Sequence, residues 1–116
     1  MNLTISGREP RRWSRQTCGS EGVLASEAGE VPVTMLDASR GGFKLRFTPD
    51  PLALGMLTPL PRDLHVITAS QQIYPSTVLW IKDGLAGCRF YQHQSLDDIA
   101  ILMTSPFRLQ PLDMPV

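Results

Sequence analysis

The chain has 116 residues, 42% hydrophobic and 19% charged, with a formal net charge of zero. That is enough for one domain with a modest core, and the charge balance argues against a protein built to coat a long polyanion. No apolar run approaches membrane-spanning length and the first residues do not read as a secretory leader, so a cytoplasmic protein without membrane insertion is expected.

The neutral total hides an asymmetry. Arg8, Arg11, Arg12 and Arg15 crowd the start of the chain, opposed there only by Glu9, while Lys44 and Lys82 are its only lysines. Residues 1–16 lack apolar periodicity and read as an Arg-rich N-terminal arm, mobile until a ligand orders it. A loose strand signal runs from Thr17 to Ala25, and "EAGE" is a turn. "VPVTML", Val31 to Leu36, is rich in β-branched residues and reads as a strand. After the punctuation of "DASRGG", the stretch "FKLRF" alternates cleanly, with Phe43, Leu45 and Phe47 inward. Pro49, Pro51, Pro59 and Pro61 bracket a connection that cannot be a central strand. "LHVIT" and "STVLWI" are short strands, "KDG" is a hairpin turn, and "LAGCRFY" is the returning strand. Ser95 then reads as a helix N-cap, with Asp98 three residues on and Leu96, Ile99, Leu102 and Met103 on one helical face. Six strands and one helix predict an all-β fold, a six-stranded antiparallel barrel over residues 17–106 with a C-terminal α-helix. Residues 107–116 read as a proline-rich tail.

Two stretches carry the chemistry. Alone, "RRWSR" is a solvated basic segment. Alone, "DASRGG" is a turn in which Asp37 and Ser39 bond local backbone and Gly41 and Gly42 supply positive φ. Together they form an Arg-x-x-x-Arg, about 22 residues of spacing, and an Asp-x-Ser-x-x-Gly between two strands. That combination resembles the PilZ domain, and the resemblance extends to the hairpin "STVLWIKDGLAGCRF" and the helix after it, covering about residues 8 to 105.

The resemblance implies a PilZ-like split barrel acting as a receptor for cyclic di-GMP, bacterial, cytoplasmic and without catalysis. Its first motif falls on Arg11 and Arg15, with a second register on Arg8 and Arg12. Its second motif falls on Asp37, Ser39 and Gly42. The chemistry suits the ligand. An arginine forks onto guanine N7 and O6, stacks on a purine, or neutralises a phosphate. An ionised Asp37 accepts from guanine N–H donors. Trp80 reads as core, with a place in the ligand groove as the alternative. Trp13 in the arm stacks on a guanine or docks on a partner. Ligand binding is expected to clamp the arm over the barrel and signal to an unidentified downstream protein, with the receptor a monomer or weak dimer. Motility, biofilm formation and polysaccharide secretion are the outputs the resemblance implies. Two alternatives stand beside this reading: a PilZ-fold structural adaptor in a pilus or secretion assembly that binds no cyclic di-GMP, and a small β-barrel nucleic-acid binder.

Other residues point to no chemistry. His65 and His93 lack metal-ligand spacing. Cys18 and Cys88 read as small buried apolar residues in a reducing compartment. Asp97 and Asp98 sit where a helix dipole favours negative charge and are not read as a catalytic pair. No cofactor, metal or catalytic residue is expected.

Overall fold

A computed structural model describes residues 16–112, with side chains from residue 19 onward. Arg8, Arg11, Arg12, Trp13 and Arg15, and the side chain of Cys18, lie outside the described residues. In chain order the described elements are β1 Gln16–Ser26, β2 Gly29–Ala38, β3 Gly42–Phe47, α1 Pro51–Leu57, β4 Arg62–Thr68, β5 Ile73–Lys82, β6 Leu85–Phe90, α2 Leu96–Thr104 and β7 Phe107–Pro111. The strands form one closed barrel in the order β1-β2-β3-β6-β5-β4-β7. The all-β barrel expected from the alternation is therefore present, with one more strand than the sequence pattern gives.

The extra strand is β7, in the segment read as a proline-rich tail. Pro106 precedes this strand and Pro111 is its last residue, so neither interrupts it. Phe107 and Leu109 point into the core at 4% and 0% exposure. β7 pairs antiparallel with β4 and parallel with β1. The barrel is thus antiparallel except at its closing seam. Closure leaves no free sheet edge, which removes the usual template for edge-to-edge aggregation.

The alternating strands fill the barrel as their patterns require. Phe43, Leu45 and Phe47 of β3 are all inward, and meet Leu24, Val33, Met35, Leu64, Val66, Val78 and Phe90. Phe43 and Phe90 pack tilted, ring centroids 5.2 Å apart. Asp83 at φ 53° and Gly84 at φ 77° make the β5–β6 turn, a left-handed pair that matches strand twist.

The helices close the structure differently. Asp50 caps α1 by accepting from the Ala53 amide at 2.8 Å, and Pro51 occupies the first turn, where no amide is needed. The proline-bracketed connection is thus a two-turn helix, burying Ala53, Met56 and Leu57. Ser95 caps α2 as expected, its hydroxyl accepting from the Asp98 amide at 3.1 Å. Ile99 and Leu102 enter the core and Met103 packs at its edge, but Leu96, in the first turn, is 66% exposed. α2 lies against β1 and β2, where the Ser20 hydroxyl donates to the Leu102 carbonyl at 3.2 Å.

Candidate functional site

The site is built by irregularities in three strands. A strand side chain keeps its face only while the two-residue period holds. On β2, Met35 faces the core, so unbroken alternation would send Asp37 inward as well. The β2–β3 register shifts between Met35 and Asp37, and Asp37 pairs with Lys44 while Ala38 pairs with the buried Phe43. The extra residue turns Asp37 to the outer face. On β5 the same thing happens: Val78 is buried, the register to β6 shifts before Trp80, and Leu79 and Trp80 are both outward at 42% exposure. β1 carries a third shift, between Thr17 and Ser20. Bulges of this kind re-aim side chains and are common beside functional sites.

The consequence is one cross-strand row on the outer face. Residue 17 of β1 is the Cα partner of Asp37, Asp37 of Lys44, Lys44 of Gly87, and Gly87 of Trp80. From β2 to β5 the row crosses three strand intervals, roughly 14 Å. The indole of Trp80 lies directly on Gly87, whose missing side chain makes the space; any Cβ there would run into Trp80 Nε1. Trp80 is therefore a surface aromatic seated on a glycine, and its reading as core is corrected. Lys44 Nζ stands 4.0 Å from Asp37 Oδ2, with the two side chains 38% and 17% exposed. A partly exposed pair at that distance holds little energy.

The turn after β2 differs in detail from its sequence reading. The Ser39 amide donates to the Gly42 carbonyl at 2.8 Å, and Ser39 is 7% exposed. Gly41 and Gly42 do not adopt positive φ; among the described glycines only Gly29 and Gly84 do. Gly42 is needed for another reason. A Cβ there would collide with the Cys88 carbonyl of β6, so the close approach that glycine permits is to a neighbouring strand. The turn is also tied to the segment after β6. The Phe90 amide donates to the Gly41 carbonyl at 3.0 Å, the Gln94 amide to the Arg40 carbonyl at 2.9 Å, and Arg40 Nε returns a bond to the Gln94 carbonyl at 2.9 Å.

Around the row the outer face is cationic. Arg46, Lys82 and Arg89 are outward neighbours of Lys44 and Gly87 on β3, β5 and β6, and make no ion pair with another described residue. The alternation of "FKLRF" exposes Lys44 and Arg46, a signal visible in the sequence, and Gly87 opens the Gly-x-x-Phe of the returning strand; nothing local distinguishes Arg89. Beneath, Tyr74 donates to Asp98 Oδ1 at 2.9 Å, fixing the start of α2 to β5. Burial, then the Asp98 carboxylate, pushes its hydroxyl up to about 12. Cys88 is buried as expected, and burial pushes its thiol up to about 12, which suits packing rather than nucleophilic work. Among the described residues no three His, Cys, Asp or Glu side chains gather as a metal site requires.

No protein-family model matches this chain, and no curated protein matches it.

Proposed function

We propose that this chain is a PilZ-like receptor that binds cyclic di-GMP on the outer face of the barrel, without catalysis, and passes the signal to another protein. The observation that carries the reading is the re-aiming of Asp37 and Trp80 by two separate bulges onto one row, where regular strands would bury both. Exposing a carboxylate and an indole at the cost of ladder regularity is the mark of a recognition surface.

The arginine motif enters through chain connectivity. Arg15 is two residues before Thr17, so its Cα stays within about 7 Å of the Cα that pairs with Asp37. Arg11 follows four residues earlier. In the proposed complex these two guanidinium groups take the phosphates and the N7–O6 edge of guanine. Asp37 exchanges its long contact with Lys44 for guanine N–H donors. Trp80 offers a flat face for stacking, and the Lys44 ammonium, released from Asp37, faces phosphate. Ser39 and Gly42 hold the turn that positions Asp37.

Titration calorimetry of the full chain with cyclic di-GMP, cyclic di-AMP and GTP tests the reading. Saturable binding of cyclic di-GMP at micromolar concentration, about −8 kcal/mol, with the other two at least tenfold weaker, is the expected result. No heat from cyclic di-GMP at high micromolar levels overturns it.

A further inference from the structure

A cavity of about 390 Å³ opens beside the proposed cyclic di-GMP face, between the 39–42 turn and the segment leaving β6. Its lining includes Gly41, Thr77, Arg89, Tyr91 and His93. It belongs to the next row of the outer face, where Gly42 pairs with Arg89 and Arg89 with Thr77. We propose that this cavity is a second ligand seat, for an aromatic ring bearing a phosphate, the chemistry of a nucleoside monophosphate.

Three features select that chemistry. Arg89 is exposed and makes no ion pair with a described residue, so a guanidinium stands at a concave surface ready for an anion. Tyr91 is 55% exposed and lines the same cavity, with a ring face that a base can cover and a hydroxyl set beside Asp63 and Thr77. The His93 ring lies beside Gly41, where an added Cβ would approach it to 3.8 Å, so the turn contributes backbone rather than bulk to that wall. The volume lies in the range of small-molecule sites and suits one base with its phosphate better than a polymer.

The walls are held in place before any ligand arrives. The Phe90 amide bonds the Gly41 carbonyl and the Tyr91 amide bonds the Pro75 carbonyl, each at 3.0 Å, and Arg40 and Gln94 bond one another twice. The Thr77 hydroxyl is fixed to Asp63 Oδ1 at 2.8 Å. A preformed seat loses little free energy to ordering on binding. The occupant is either a separate mononucleotide or the far half of a dinucleotide lying over Asp37. The seat rests on its own geometry and does not require the cyclic di-GMP reading.

Amide chemical shifts of the full chain, followed during titration with GMP, phenyl phosphate and inorganic phosphate, test the seat. GMP and phenyl phosphate are expected to shift Gly41, Thr77 and residues 89–93 saturably, with inorganic phosphate at least about fivefold weaker. Arg89→Ala and Tyr91→Ala, both at exposed positions, each weaken GMP about tenfold with the rest of the spectrum retained, while Asp37→Ala leaves it within about twofold. The proposal fails if neither ring-bearing probe saturates these amides, if Arg89→Ala responds like the wild type, or if Asp37→Ala abolishes the GMP shifts. A cyclic di-GMP titration separates the two claims: GMP seated here with no dinucleotide binding sinks the function proposed above and keeps the seat. Dinucleotide binding without any GMP response does the reverse.

Discussion

At one end of the barrel α1 lays Ala53, Met56 and Leu57 over β1 and β2, and closure there is a matter of apolar volume. At the other end the 39–42 turn and residues 90–94 hold each other through main-chain hydrogen bonds and the Arg40 side chain, with Arg89, Tyr91 and the Asp37–Trp80 row outside them. The first end contributes buried apolar volume. The second carries Arg40, Arg89, Tyr91 and His93 beside the turn. The contrast teaches where to expect each kind of damage: changes at packed positions destabilise the chain, and changes to exposed side chains beside the turn alter what it binds.

The largest effect should come from Leu57→Ala. Leu57 is fully buried, so the lost transfer energy and the cavity together cost about 2–5 kcal/mol in denaturant unfolding. A cost below about 1 kcal/mol would erase the distinction between the ends. Gly42→Ala comes next. Its methyl group meets the Cys88 carbonyl, so β3 or β6 must shift, at roughly 1–3 kcal/mol. A neutral result would mean that the two strands are not as close as described.

A smaller, distributed effect is expected at alkaline pH. Cys88 rises from 9.0 and Tyr74 from 10.0, each to about 12, so folding favours both protonated forms. Their contribution is complete below pH 9, shrinks as the unfolded thiol and then the unfolded phenol ionise, and is gone near pH 12. Tyr74→Phe should flatten the part of that decline above pH 10. An unchanged decline in this variant assigns the pH dependence elsewhere. On the binding side, adding cyclic di-GMP should raise hydrogen-exchange protection over residues 8 to 16. Ordering each residue costs roughly 1–2 kcal/mol of backbone entropy, so protection confined to the barrel would show that the arginines take no part.

Much of the barrel was legible because its signals are local. "FKLRF" alternates, Asp83-Gly84 is a left-handed turn pair, and Ser95 with Asp98 caps a helix. What escaped depends on other strands. β7 carries prolines at its margins and becomes a strand only because β1 and β4 flank it. α1 is too short to show a period, and its prolines mask a sound first turn. Trp80 reads as core in the sequence because the bulge that reverses its face is written in cross-strand pairing rather than in a dipeptide. Gly42 was recognised as special, though for its φ rather than for the neighbouring carbonyl. Of the proposed site, Asp37 and Ser39 stood out in the turn, whereas Lys44 and Gly87 joined them only once the strands were laid side by side.

The central claim is that the outward Asp37 recognises the ligand, and calorimetry of Asp37→Ala beside the wild type tests it most directly. Asp37 is partly exposed and lies outside the hydrophobic core, so the variant should still unfold in one cooperative transition. Its affinity for cyclic di-GMP should fall at least tenfold, or about 1.4 kcal/mol, as should that of Arg15→Ala. Wild-type affinity in a folded Asp37→Ala protein would contradict the account.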